Sequence, residues 1–198
     1  MDNGDDEYSD VRGSSRREEP YFDPLKPPYN PGDVIARQFE VVRILGMGGM
    51  GVVYEVIDRL TRQHLALKQF RHDLARKKTV RDCFLQEVAV ARQLRHPNIV
   101  AVFDVRQEGE LLFYTMELLE GKSLRECLKQ RGLLSLEEAA VIIFQLCEAL
   151  EHAHQFTVHR DVSPENIMVT PSGVKLLDFG IAKVLNSEAD VKGAVGKT

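Results

Sequence analysis

The run HRDVSPEN at residues 159–166, followed by IMVTPSGVKLL and then DFG at residues 178–180, constrains this chain more than any other feature. Asp161 and Asn166 stand five residues apart around a proline-bearing turn, and Asp178 follows a second turn at TPSG. A chain that doubles back there brings two carboxylates and an amide together. Such an oxygen-donor set suits a hard divalent cation that keeps several of its waters. That is the outline of a magnesium-phosphate site.

Upstream segments add groups that handle phosphate. Residues 46–53, GMGGMGVV, place Gly46, Gly48 and Gly51 in a GxGxxGxV pattern between the apolar runs VVRIL and VVYEVI. Glycines there let the backbone approach phosphate oxygens closely. The segment after Gly51 is β-branched and reads as strand, which disfavours a dinucleotide fold that needs a helix at that point. By itself the run is equally a glycine-rich hairpin. Lys68 lies in HLALKQF among Leu65, Leu67 and Phe70, where an unpaired ammonium is costly to bury. In residues 79–95, Val80, Phe84, Val88, Ala91 and Leu94 recur at helical spacing, and Glu87 falls within that stripe. An inward carboxylate calls for a cation, although each residue alone also reads as a strand-end lysine and a solvated helix glutamate.

Taken in order, these residues resemble the protein kinase family, and in particular the bacterial serine/threonine kinases of eukaryotic type. The resemblance implies an α+β fold: a five-stranded antiparallel N-lobe with one helix, and an incomplete, mainly helical C-lobe. It implies ATP and Mg2+ as cofactors, with Lys68 and Glu87 as the ion pair that holds the α- and β-phosphates. Asp161 would accept the proton of the substrate hydroxyl, and Asn166 and Asp178 would hold the metal. The glycine-rich loop would contribute Gly46, Met47, Gly48, Gly49, Met50 and Gly51. Leu45, Val53, Ala66 and Met168 fall where the family sandwiches adenine, Met116 takes the gatekeeper position, and Glu117 to Leu119 form the hinge. Those apolar positions equally suit core packing. His159 matches a packing histidine, and Arg160 the arginine that can answer an activation-loop phosphate. One position departs from the pattern: Ser163 stands where serine/threonine kinases carry the lysine that meets the γ-phosphate.

Composition sets the surroundings. With 198 residues, 43% hydrophobic, 28% charged and a net charge of -4, one substantial core is expected and nucleic acid is not. The basic cluster Arg71, Arg76, Lys77, Lys78 and Arg81 is diluted by Asp73 and Asp82 and reads as a solvated loop and helix start. No apolar run approaches the ~20 residues of a membrane span. The N-terminus is acidic and unlike a signal peptide, so a cytoplasmic location is expected. Cys83, Cys127 and Cys147 are widely spaced and odd in number, which favours reduced thiols over a disulfide framework or zinc. His152 and His154 are two apart on a helix and make a poor metal pair.

Residues 1–31 are acidic, proline-bearing and poor in aliphatic side chains, and disorder is expected. Residues 32–120 are then the N-lobe and 121–198 a partial C-lobe. Ser123 with Glu126, and Ser135 with Glu138, read as capping boxes that start two helices. In residues 136–155 a stripe runs through Leu136, Ala140, Ile143, Cys147 and Leu150, yet residues 141–144 are apolar without a break, so burial on nearly every side is expected. The family's APE motif is not reached before Thr198, and the resemblance implies that about the first two-thirds of a kinase domain is present. The terminal VGKT lacks the first glycine of a Walker A loop, since Val191 stands there. Ser187 and Thr198 are hydroxyls of the activation segment, read as plain surface residues.

Two readings follow. One is an enzyme that transfers phosphate from ATP to serine or threonine hydroxyls of protein substrates. The other is a truncated or inactive kinase fragment that binds nucleotide or a partner, or associates with itself through exposed C-lobe surface.

Overall fold

The computed structural model describes residues 27–178. The acidic stretch before them, Gly180, Ser187 and Thr198 lie outside the described residues. Tyr29 meets Tyr54 edge-on with ring centroids 6.2 Å apart, so packing reaches back beyond residue 32.

Nine strands and four helices follow in chain order. The first sheet holds β1 (Val34–Ile35), β2 (Phe39–Gly48), β3 (Gly51–Asp58), β4 (His64–Phe70), β5 (Val102–Glu108) and β6 (Leu111–Met116). Its order is β1-β2-β3-β4-β6-β5, antiparallel throughout. Five strands lie between Phe39 and Met116 as the sequence pattern has it. The two-residue β1 adds a sixth at the edge, too short to leave a period-2 signal.

Alternation along these strands separates two cores. Val41, Val52, Tyr54, Val56, Leu67 and Phe113 pack on one face. On the other, Phe70, Leu112 and Tyr114 meet Phe84 and Val88 of α2 (Lys78–Ala91), which follows the single turn α1 (His72–Ala75). Val80, Phe84 and Val88 are buried, as their helical spacing implies.

After α2 the chain crosses to the second lobe. Asn98 Nδ2 donates to Val174 O at 2.8 Å, Leu176 N donates to Asn98 O at 2.8 Å, and Leu94 and Ile99 belong to the core of that lobe. That lobe contains β7 (Lys122–Ser123), α3 (Leu124–Arg131), α4 (Leu136–His154), and the hairpin of β8 (Ile167–Thr170) and β9 (Gly173–Leu176). Both capping boxes form: the Ser123 hydroxyl accepts from Glu126 N, and the Ser135 hydroxyl from Glu138 N. Each such cap contributes about 1 kcal/mol.

The buried face of α4 differs from the expected stripe. Ala149 and Ala153 are fully buried, with Ile142, Leu146 and Leu150 packed beside them. Leu136, Ile143 and Cys147 point outward, and Val141 and Phe144 are exposed as well. The small alanines let the β9 strand approach the helix, and among the described residues one face of α4 is covered. No described helix is long and apolar enough to cross a membrane.

Candidate active site

The site grows from a row of side chains across three strands. Val53 pairs with Lys68, and Lys68 pairs with Tyr114, so all three project from one face of the sheet. Two residues along the same face, Ala66 lies opposite Met116. Strand alternation therefore puts the ammonium and a small apolar floor side by side, above the point where the chain crosses into the second lobe.

The β2–β3 hairpin arches over this row. Its register ends at Gly48 opposite Gly51, which leaves Gly49 and Met50 as the turn. Gly51 is required by packing: at φ +156, a Cβ would stand 1.9 Å from the carbonyl oxygen of Gln69. Gly46, Gly48 and Gly49 differ, since a Cβ there would meet nothing within 4 Å. Among the described residues nothing demands glycine at those three positions. What they provide is open backbone facing the cleft.

From below, the second lobe supplies the acidic residues. His159 is 1% exposed. Its Nε2 donates to Leu177 O at 2.8 Å, and its Nδ1 accepts from Asp161 N at 3.3 Å. Burial lowers the His159 pKa, against the pull of the Leu177 carbonyl and the nearby aspartates. The neutral ring thus ties the 159–161 turn to the strand end before Asp178. Arg160, at φ 64, turns the chain here. Asn166 Nδ2 then donates to Asp161 Oδ2 at 2.9 Å and to Asp161 O at 3.0 Å. This uses the amide nitrogen and leaves the amide oxygen for another partner.

Asp178 stands where both lobes meet. Its Oδ2 accepts from Lys68 Nζ at 2.6 Å and its Oδ1 from the Tyr114 hydroxyl at 2.9 Å. Burial alone would raise the Asp178 pKa, but the charge of Lys68 and the two hydrogen bonds outweigh it and hold the carboxyl below its ordinary value. The Lys68 side chain is 9% exposed and that of Asp178 31%, so the ammonium is the end of this ion pair that is screened from water.

The expected pairing of Lys68 with Glu87 is not present. Glu87 Oε2 is buried without a hydrogen-bond partner, and burial raises its pKa, opposed by the charge of Arg160. The ammonium is taken by Asp178 instead. Asp178 offers Lys68 a carboxylate already oriented by Tyr114, whereas the charge that bears on Glu87 is that of Arg160.

Two adjoining clefts result. One, about 480 Å³, is lined by residues 46–51 with Val53, Lys68, Asp161, Asn166 and Asp178. The other, about 610 Å³, is lined by Leu45, Val53, Ala66, Met116, Glu117, Leu119 and Met168. Glu117 is pinned there: its N–H donates to Ala101 O at 2.9 Å and its Oε2 accepts from Lys175 Nζ at 2.8 Å. Lys68 and Asp178 line both. Every residue given a nucleotide-binding, metal-binding or catalytic role in the sequence lines one cleft or the other except Glu87, Leu118 of the hinge included. Val100 and Leu177 also line the apolar cleft, and Tyr114 completes the Asp178 site. Leu177 and Tyr114 carry a signal after the fact: one precedes Asp178, and the other lies two residues before Met116 on the same strand face. Val100 carries none.

The donor set fits a hard cation. Asp178 contributes carboxylate oxygens and Asn166 an amide oxygen into one cleft, and neither cysteine nor histidine is among the residues lining it. Triphosphate also fits, since open glycine backbone and a lysine face the same space.

Comparison with known proteins agrees with this geometry. The family described as protein kinase domain matches residues 39–198. The probable serine/threonine-protein kinase PknB of Corynebacterium glutamicum is 41% identical over 159 residues, which cover 77% of this chain and 25% of that protein. The serine/threonine-protein kinase PrkC of Bacillus subtilis is 37% identical over 158 residues, covering 79% of this chain and 24% of that protein. This chain thus spans about a quarter of the length of these relatives. The crystal structure of the Mycobacterium tuberculosis PknI kinase domain is similar with a TM-score of 0.68 at 33% identity, covering 78% of this chain and 63% of that one. A family match running from the first long strand through both clefts, and a solved kinase domain of the same fold, show that this chain belongs to the protein kinase family.

Proposed function

We propose that this kinase domain transfers the γ-phosphoryl group of ATP to serine or threonine hydroxyls of proteins. The observation that carries the reading is the convergence of Lys68, Asp161, Asn166 and Asp178 on one cleft roofed by open glycine backbone. Adenine would occupy the apolar cleft between Val53, Ala66 and Met168, with its edge toward the hinge at Glu117 to Leu119. Asn166 and Asp178 would hold Mg2+, which supplies positive charge to the phosphates. Lys68 would exchange Asp178 for phosphate oxygens and recruit Glu87 as its new counter-ion. Asp161, oriented by the Asn166 amide, would accept the hydroxyl proton as the acceptor oxygen attacks in line. Positioning and charge stabilisation carry most of such a reaction.

The test is transfer of labelled phosphate from Mg-ATP to a generic protein acceptor by the chain and by Asp161→Asn. Transfer that falls by orders of magnitude in the variant, with nucleotide binding retained, supports the reading. Equal transfer by both proteins sinks it.

A second reading has its own observation. Leu136, Val141, Ile143 and Phe144 are exposed apolar side chains on α4. This exposure favours association with a partner or a second copy, with nucleotide bound but not turned over. Nucleotide binding without transfer, in a protein that sediments as an assembly, would select it.

A further inference from the structure

We propose that the Tyr114 hydroxyl is a positioning group acting through Asp178: it latches that carboxylate onto Lys68, keeps Glu87 unpaired, and withholds Asp178 from a divalent cation until nucleotide is bound. This inference rests on the phosphoryl-transfer reading, because it takes Asp178 as the cation's ligand.

The geometry is asymmetric in a way that decides a competition. Lys68 is held by Asp178, while Glu87, the other carboxylate the sequence offers it, lines neither cleft. Lys68 and Tyr114 are cross-strand partners on β4 and β6, so ammonium and phenol leave the sheet side by side and reach the same carboxylate. One oxygen of Asp178 takes Lys68 at 2.6 Å and the other takes Tyr114 at 2.9 Å. Glu87 Oε2 is left buried without a hydrogen-bond partner, and the charge that bears on that carboxylate is that of Arg160. A hydrogen bond to a charged group is stronger than a neutral one, so one phenol added to one side biases the choice.

Packing does not require the hydroxyl. The Tyr114 ring sits in the apolar cluster of Phe70, Phe84, Val88 and Leu112, with its centroid 5.9 Å from that of Phe84. Phenylalanine would fill the same space. What the oxygen adds is the bond to Asp178. Tyr114 is 2% exposed, so if Asp178 turned away the hydroxyl would be stranded. Asp178 therefore leaves only for something that offers its carboxylate more, which a cation carried on triphosphate does and a free cation does less well.

The experiment is a thermal-shift titration with Mg2+, with and without saturating ADP, on the wild type and on Tyr114→Phe. With ADP, the Mg2+ concentration at half-shift should fall roughly fivefold in Tyr114→Phe, as expected for one lost hydrogen bond to a charged group. Tyr114→Leu, which removes ring and hydroxyl together, should show the same fall. Without ADP, the wild type should not respond to Mg2+ at concentrations that saturate it with ADP, and this arm needs no variant to fold. A purely structural role for Tyr114 would lower the starting melting temperature and leave the Mg2+ midpoint where it was. An unmoved or higher midpoint in the variants, or a wild type stabilised equally by Mg2+ alone, overturns the latch. A wild type that ignores Mg2+ and ADP together fails the phosphoryl-transfer reading instead, so the two failures are distinguishable.

Discussion

Lys68 Nζ stands 2.6 Å from Asp178 Oδ2, while Glu87, on helix α2, keeps one oxygen buried without a hydrogen-bond partner. Removing one member of a buried ion pair ordinarily costs about 3–5 kcal/mol, because the other is left charged and dry. Asp178→Asn should cost less, about 1–2 kcal/mol, because Glu87 is free to replace the lost partner and the Asp178 side chain is 31% exposed. The double variant Asp178→Asn with Glu87→Gln removes that relief. Urea unfolding of the four proteins should give a coupling of about 1–2 kcal/mol, well outside the ~0.5 kcal/mol expected of independent sites. Additive losses would show that Lys68 does not reach Glu87.

Glu87 itself should titrate against the fold. Burial raises its pKa above the ordinary 4.5, so the folded state holds this proton more tightly than the unfolded chain does. The contribution is favourable below the unfolded value and is lost as pH rises through the folded one. The ionised form of this carboxylate is therefore a burden on the fold. Glu87→Gln should melt higher than the wild type at pH 7, by ~2–4 °C for each kcal/mol recovered, and the gap should close as pH falls below 4.5. The same variant should transfer phosphate more slowly, since Lys68 would lose its alternative partner. A melting difference independent of pH would show that the carboxylate is not the cause.

Some of this was legible in the chain and some was not. The glycine run, Lys68, Asp161, Asn166 and Asp178 could be picked out because each is a local pattern whose chemistry is carried by residue type and spacing. The partner of Lys68 could not, because the carboxylate that takes it, Asp178, is 110 residues away in the chain and is also held by Tyr114, a cross-strand neighbour that no local pattern marks. Nor could the phase of α4. Residues 141–144 are all apolar, so periodicity cannot say which face is inward, and the choice falls to the β8–β9 hairpin that packs against Ala149 and Ala153. The capping boxes were readable because their bonds span three residues.

The glycines divide into two kinds, and substitution should separate them. Gly51→Ala drives a Cβ into the Gln69 carbonyl at 1.9 Å in a backbone conformation that side chains avoid. It should destabilise the protein by more than about 2 kcal/mol, whether or not nucleotide is present. Gly48→Ala meets nothing within 4 Å. Its unfolding free energy should stay within about 0.5 kcal/mol of wild type, while nucleotide affinity falls several-fold because the methyl occupies space facing the cleft. Calorimetric unfolding and nucleotide titration on the two variants check this. A Gly48→Ala protein that unfolds early but binds nucleotide normally would show that the hairpin, not the cleft, sets the need for glycine.

Ser163 gives the last prediction. It precedes the turn Pro164–Asn166 with extended backbone, and its carbonyl accepts from Asn166 N at 3.0 Å, while its side chain makes no cap hydrogen bond. The backbone bond survives any side chain, so Ser163→Lys should fold as the wild type does. The added ammonium would rise beside Asp161 and Asn166, where the family carries a lysine toward the γ-phosphate and where negative charge grows during transfer. One well-placed charge-stabilising group is commonly worth about a hundredfold in rate, and a gain of about tenfold in kcat is expected for a lysine set into a site not otherwise tuned to it. The KM for ATP should change little, since the gain lies in the transition state. Ser163→Met, similar in length but uncharged, should show no gain. A Ser163→Lys protein that is no faster, or whose KM falls without a rise in kcat, would mean that the position does not face the transferring phosphate.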